Sequence, residues 1–217
     1  TGPELVRGLI RGDLSGIDGI SYRGADGRAV HAPDLARIED LDALPFPAFE
    51  KVQLGRYAGH GILSSRGCPY PCSFCSVAPV WGRKSVLRAP ARLVEEMVHL
   101  HRTAGVRLFL FQDEYFVSGK ERVLAFCREL RKARLPIQWK AFGRVNLTDE
   151  ETMKAMVDAG CVELRFGVES GCDAVLAKVR KGFTSRDVLE LVPKAVRIVP
   201  RVDVFYIWGF PFETMPQ

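Results

Sequence analysis

Residues 106–142 read VRLFLFQDEYFVSGKERVLAFCRELRKARLPIQWKAF, and the order of patterns in this stretch decides the fold. Val106 to Gln112 is a short apolar strand. Ser118 and Glu121 stand at the capping-box spacing and predict a helix that runs to about Arg134 and halts before Pro136. Ile137 to Phe142 then reads as a second strand. Strand, helix and strand make a β-α-β unit, whose helical crossover carries the chain back to lay the strands parallel.

The same alternation extends to both sides. Upstream, Gly61 to Ser65 is a short strand, and Pro90 opens a helix that Gly105 closes. Downstream, Thr148 with Glu151 forms a second predicted capping box, for a helix ending at Gly160. Val162 to Val168 is a strand, followed by a helix over about 173–181 with Gly182 behind it. Thr184 and Asp187 open a further helix, which Pro193 is expected to kink or break, and Val202 to Trp208 is the fifth strand. The class is α/β with a parallel sheet. Periodicity alone leaves a doubly wound sheet and a barrel both open. A full eight-stranded barrel needs about 250 residues, so five strands predict a partial or truncated one. No internal repeat or low-complexity segment interrupts the pattern.

Composition agrees with a globular chain: 217 residues, 47% hydrophobic and 26% charged. No run approaches the ~20 apolar residues of a membrane-spanning helix, and the opening TGPELVRGLIRGD lacks a signal-peptide core. The chain also lacks an initiator Met, so a processed form or an excised piece is expected. Net charge is +5, unevenly spread: residues 1–50 hold five Lys/Arg against nine Asp/Glu. The shift falls at Leu44-Pro45-Phe46-Pro47, which reads as a linker. The basic remainder has no dense Lys/Arg run, so its cations are expected on helix surfaces and nucleic acid is not an expected partner. Six cysteines in a chain of this size predict a reducing, cytoplasmic compartment rather than a disulfide framework. Cys127, Cys161 and Cys172 stand alone and read as structural.

The chemical signal is Ser65-Arg-Gly-Cys68-Pro-Tyr-Pro-Cys72-Ser-Phe-Cys75, a C-x₃-C-x₂-C spacing directly after the first strand. Three thiolates on one loop can each take an iron of a cubane and leave the fourth iron open. Ferredoxin-type clusters use four cysteines, and structural zinc uses four ligands. A zinc site completed by His60, His99 or His101 remains an alternative at this level.

The loop resembles the signature of radical S-adenosylmethionine enzymes, including the aromatic Phe74 before its last cysteine. The likeness covers about residues 59–214: Asp158-Ala-Gly-Cys161, Phe166-Gly-Val-Glu-Ser-Gly171 with Asp173-Ala-Val-Leu176 and Lys181-Gly-Phe-Thr184, and Trp208-Gly-Phe-Pro-Phe-Glu-Thr214 follow in the family's order. Gly16 to Arg23 and Leu41 to Pro47 are similar to the join between a cobalamin-binding domain and the radical domain in the B12-binding-domain subgroup, which includes methyltransferases and cyclase-like enzymes. The resemblance therefore implies a tail of an upstream cobalamin domain and linker over 1–58, and a radical core over 59–217, incomplete at its C-terminus. The cobalamin loop Asp-x-His-x-x-Gly is absent, so cobalamin is implied only for a parent protein.

The same resemblance implies a partial TIM-type (β/α)6-like barrel, truncated after about strand five. It implies a [4Fe-4S] cluster on Cys68, Cys72 and Cys75, with S-adenosylmethionine chelating the open iron. Reductive cleavage would then give a 5′-deoxyadenosyl radical, or methyl transfer through cobalamin, and a low-potential donor such as flavodoxin or ferredoxin would supply the electron. Cofactor-binding positions carried over are Phe74 beside the cluster and Asp113 or Glu114 facing the methionine ammonium. Arg144 is placed on the methionine carboxylate, Glu169 and Ser170 on ribose or the methionyl part, and Ile207 and Gly209 at adenine. Phe205 and Phe212 stand where relatives favour Gly. No role falls to Tyr57, Tyr70 or Tyr115.

Two other readings compete: a radical methylthiotransferase acting on RNA or protein, and a non-enzymatic module stapled by zinc or a cluster. The substrate is expected to be a small molecule, but the sequence does not identify it. The last strand is expected to leave an open sheet edge that makes an isolated fragment poorly behaved.

Overall fold

The computed structural model describes residues 2–214. A helix, α1 (Gly2–Arg11), and a hairpin of β1 (Ser21–Arg23) and β2 (Ala29–His31) form a first unit that ends at Glu39. Gly27 makes the hairpin turn at φ +78, and Asp26 Oδ1 accepts from Arg28 N at 3.0 Å. The second unit begins at Asp40, so residues 40–58 belong with the sheet that follows; Phe49 and Leu54 pack against its core.

That unit runs β3 (His60–Ile62), β4 (Ser65–Arg66), α2 (Val77–Trp81), β5 (Val86–Leu87), α3 (Pro90–Ala104), β6 (Leu108–Phe111), α4 (Lys120–Ala133) and β7 (Gln138–Gly143). It continues through α5 (Glu150–Asp158), β8 (Cys161–Glu169), α6 (Asp173–Lys178), α7 (Ser185–Ile198) and β9 (Arg201–Tyr206). Five strands pair in the order β3-β6-β7-β8-β9, every pair parallel. A doubly wound sheet reverses its order at a switch point. Here the spatial order is the chain order, so the sheet winds one way as a barrel wall, and the choice that periodicity left open is settled.

The core lies between one face of this sheet and the helices. Leu164, Phe166 and Val168 are fully buried there, with Trp139, Phe109, Phe116 and Phe126. Trp139 meets Phe111 and Phe126 edge-on at 5.5 and 5.4 Å, and its Nε1–H donates to the Ala159 carbonyl at 2.8 Å. Alternate residues point to the opposite, concave face.

Several local expectations need correction. The first strand is interrupted: β3 ends at Ile62, and Ser65–Arg66 leaves the sheet to pair antiparallel with Val86–Leu87. Ser118 does not cap α4; the N-cap is Gly119, while the Ser118 amide bonds the Phe116 carbonyl. Asp149, not Thr148, caps α5, accepting from Thr152 N at 2.7 Å, because the Thr148 hydroxyl is taken by the Arg144 carbonyl at 2.8 Å. The helix after β8 stops at Lys178 rather than about residue 181, since Lys181 is drawn into a buried ion pair. The Thr184–Asp187 capping box is present, and α7 continues unbroken through Pro193. Pro193 removes a bond to the carbonyl of Leu189, a residue on the exposed side of the helix.

Candidate active site

The C-terminal ends of these parallel strands surround one open cavity, enclosing about 910 Å³ of space with the adjoining solvent. Cys68, Cys72 and Cys75 line it from the loop after β4, opposite Gly167, Glu169 and Phe205 on β8 and β9. All three thiols are free and half-buried.

The loop is held from behind. Asp113, just past β6, is buried and accepts from the Ser64 amide at 3.0 Å, the Ser64 hydroxyl at 2.9 Å and the Ser65 hydroxyl at 2.5 Å. Burial pushes its carboxyl above the usual carboxylate range, against those hydrogen bonds and the Arg122 charge. Arg122 on α4 in turn donates to the Ser64 carbonyl at 2.9 Å. This clasp ends β3 and turns the chain into the cysteine loop. Ser85 ties the next residues, donating to the Gly67 carbonyl at 3.0 Å and meeting the Tyr115 hydroxyl at 3.0 Å. Further on, the Ser73 amide donates to the Val179 carbonyl at 3.0 Å.

Asp113 and Glu114 therefore separate. Asp113 turns back on Ser64 and Ser65, whereas Glu114 lines the cavity. Its Oε2 is buried without a hydrogen-bond partner among the described residues, a costly state unless a donor enters the cavity.

Arg144 follows β7 and is buried. Its guanidinium stacks 3.6 Å from the Tyr70 ring centre, points Nη1 at Cys72 Sγ at 4.0 Å and donates through Nη2 to the Lys181 carbonyl. Burial raises the Cys68 thiol, an effect reduced by the Tyr70 amide and the Arg144 charge. Burial also pushes Cys127 and Cys161 up to about 12, which keeps both protonated at neutral pH.

Glu169 ends β8 in the left-handed region, φ +73, at a bulge where the register shifts between Gly167 and Glu169. It pairs with Lys181 at 2.7 Å, both side chains buried. Ser170 is buried and accepts from the Cys172 amide at 3.1 Å. Phe74 lines the cavity and packs against Phe210, ring centres 5.8 Å apart. Ser170, Ile207 and Gly209 do not line it. The Ile207 amide instead bonds the Glu169 carbonyl at 2.9 Å, and the Gly209 and Phe210 amides donate to the Glu213 carboxylate at 2.8 and 2.9 Å. Lys181, Tyr70 and Tyr115 line the cavity although sequence reasoning assigned none of them a role; Tyr70 and Lys181 stand inside the motifs, and Tyr115 follows Asp113 and Glu114.

Among the described residues, no three His, Cys, Asp or Glu side chains converge on one metal-sized point. His60, His99 and His101 do not line the cavity of the cysteine loop: His60 packs edge-on to Phe49, His99 stacks near Phe46, and His101 Nδ1 lies 2.9 Å from the Val106 carbonyl.

Comparison with known proteins agrees with this geometry. Residues 62–217 match the Radical SAM superfamily. The uncharacterized methyltransferase PH0819 of Pyrococcus horikoshii is 32% identical over 220 residues, 99% of this chain and 48% of that protein. An anaerobic magnesium-protoporphyrin IX monomethyl ester cyclase of Rubrivivax gelatinosus is 30% identical over 193 residues, 82% of this chain and 33% of that protein. Among solved structures, the cobalamin-dependent S-adenosylmethionine radical enzyme OxsB superposes with a TM-score of 0.79 at 18% identity, over 94% of this chain and 32% of that one. The radical S-adenosylmethionine methyltransferase TsrM of Kitasatospora setae gives 0.74 at 22%, over 97% and 44%. The chain belongs to the radical SAM superfamily, with the α/β partial-barrel fold that those structures share. It spans less than half the length of either curated relative.

Proposed function

We infer that this chain is the radical core of an enzyme that cleaves S-adenosylmethionine reductively, within the cobalamin-associated group of methyltransferases and cyclases. The observation that carries the reading is one cavity joining three free thiols of one loop to a buried, unpartnered carboxylate oxygen on Glu114. Cys68, Cys72 and Cys75 would hold a [4Fe-4S] cluster. The chemistry such a cluster would supply is a low-potential electron for reductive cleavage of S-adenosylmethionine into methionine and a 5′-deoxyadenosyl radical able to abstract hydrogen from substrate.

The residues present fit these groups. Glu114 Oε2 accepts the methionine ammonium, replacing a missing partner by a charge-assisted bond. The unpartnered Nε of Arg144 remains for a carboxylate, while stacking on Tyr70 fixes the guanidinium beside Cys72. The Glu169–Lys181 pair holds the far wall, and Phe74, Phe142 and Phe205 exclude water. Asp113 acts on the loop rather than on the cofactor. A small-molecule substrate, a flavodoxin- or ferredoxin-like donor and a cytoplasmic location accord with this chemistry. Cobalamin would belong to the longer parent protein.

The test is anaerobic iron–sulfur reconstitution, then EPR of the reduced protein with and without S-adenosylmethionine. The expected result is a [4Fe-4S] signal that shifts on adding S-adenosylmethionine and is lost in Cys72→Ala. Stoichiometric zinc, or a cluster signal indifferent to S-adenosylmethionine, would refute the reading.

A further inference from the structure

Beneath the cavity, the concave face of the sheet carries charges in register. Lys140 on β7 stands opposite Glu163 on β8, which stands opposite Arg201 on β9; one step further along, Phe142, Arg165 and Asp203 align in the same way. Leu164 and Phe166, the alternating neighbours, are fully buried on the helix side, so this row faces the open side.

Glu163 is the pivot of the row. Its side chain is buried; Oε1 accepts from Arg165 Nε at 2.5 Å, and Oε2 pairs with Lys140 Nζ at 2.7 Å. Asp203 is held by Arg201 through Nε at 2.9 Å and Nη2 at 3.3 Å. Both carboxylates are thus engaged, against three cations. Arg165 is engaged only through Nε: among the described residues, neither of its terminal amino groups has a hydrogen-bond partner. Its side chain is 31% exposed, and its guanidinium carbon lies 5.7 Å from the ring centre of Phe142. Phe142 and Phe205, 6.1 Å apart, line the cavity, as does Gly167, two residues along the strand from Arg165.

A guanidinium fixed at Nε by a buried carboxylate, with its fork free on an open face, is preorganised for two parallel bonds to an oxyanion. We propose that this face is the substrate site, and that the substrate carries a carboxylate or phosphate held by the Arg165 fork, with its apolar part against Phe142 and Phe205. The proposal rests on the function inferred above, since it takes the cavity as the cofactor's place.

Titration calorimetry under nitrogen on the full chain tests it, with phenyl phosphate and benzoate as anionic probes and benzyl alcohol as the neutral one. The expected result is saturable binding of at least one anion, weakened about tenfold or more in Arg165→Gln, with benzyl alcohol no tighter in wild type than in the variant. The tighter anion identifies the oxyanion. Arg165→Lys keeps a charge but not the fork, and it too is expected to bind weakly; wild-type affinity in that variant would overturn the role of the fork. Unchanged affinity in a folded Arg165→Gln, checked by its thermal transition, or no saturable anion binding at all, would overturn the site. Arg165-dependent anion binding in a protein whose EPR ignores S-adenosylmethionine would leave the oxyanion site standing and refute the cofactor reading instead.

Discussion

Glu169 Oε1 and Lys181 Nζ lie 2.7 Å apart in a buried pair built over Gly167, where a Cβ would come within 2.5 Å of the same carboxylate oxygen. A side chain at the glycine of the Gly-Val-Glu-Ser motif would therefore displace its neighbour's carboxylate. Gly167→Ala is expected to fold and bind iron normally but to lose the S-adenosylmethionine effect on the EPR signal, because the displaced carboxylate no longer shapes the cavity wall.

Lys181→Met leaves Glu169 charged and unpaired in a buried site, at a cost of about 3–5 kcal/mol. Adding Glu169→Gln removes the orphan charge, and the double variant is expected to recover most of the loss. Urea denaturation of the three proteins measures both steps. A double variant no more stable than Lys181→Met would show that the pair is not the origin of the loss.

Asp113 is expected to matter through the loop it clasps. Asp113→Ala strands the Ser64 amide and two hydroxyls, costing about 1–3 kcal/mol, whereas Asp113→Asn keeps one acceptor oxygen and is expected to cost less. Iron content after reconstitution should follow the same order. Equal iron retention in both variants would show that the clasp does not position the cysteines.

Thiol substitutions should divide by cavity position. Cys68→Ala, Cys72→Ala and Cys75→Ala are each expected to abolish cluster absorbance, while Cys127→Ala and Cys172→Ala retain it, since neither lines the cavity. Loss of absorbance in Cys172→Ala alone among the outlying cysteines would nominate a fourth ligand.

Stability should also depend on pH through Glu163. Burial alone would raise its carboxyl, but the bonds from Lys140 and Arg165 outweigh burial and hold it below its ordinary 4.5. A depressed carboxyl stabilises the fold above its unfolded pKa, and that contribution disappears as pH falls through the lower folded value. Denaturation between about pH 3 and pH 7 should show this acid-side loss in wild type, and a flatter limb in Glu163→Gln.

Much of this was legible in the chain. The alternating apolar residues Val162, Leu164, Phe166 and Val168 predict a strand because a wall covered by helices needs one, and the C-x₃-C-x₂-C spacing needs no tertiary information. What was not legible depends on long-range partners. Ser118 and Thr148 have capping spacing, but their local partners go elsewhere, the second to a carbonyl in the site. Asp113 and Glu114 are adjacent carboxylates whose difference exists only after Ser64 and Ser65 arrive from 49 and 48 residues away. Lys181 stood in a quoted motif, yet only the fold brings it to Glu169. The hairpin in the first unit, built of three-residue strands, was too short for periodicity to register.

Two main-chain carbonyls just beyond α6 hold opposite sides of the cavity together: Val179 receives the Ser73 amide, and Lys181 receives Arg144. The cysteine loop and the Glu169–Lys181 wall thus share one mechanical anchor. Opening that anchor exposes both at once, so hydrogen exchange at the Ser73 amide would report on local unfolding of the whole pocket rather than fraying of a loop. Loading the pocket should slow that exchange, which makes a single amide a gauge of how far cofactor binding is coupled to the folding of the turn beneath it.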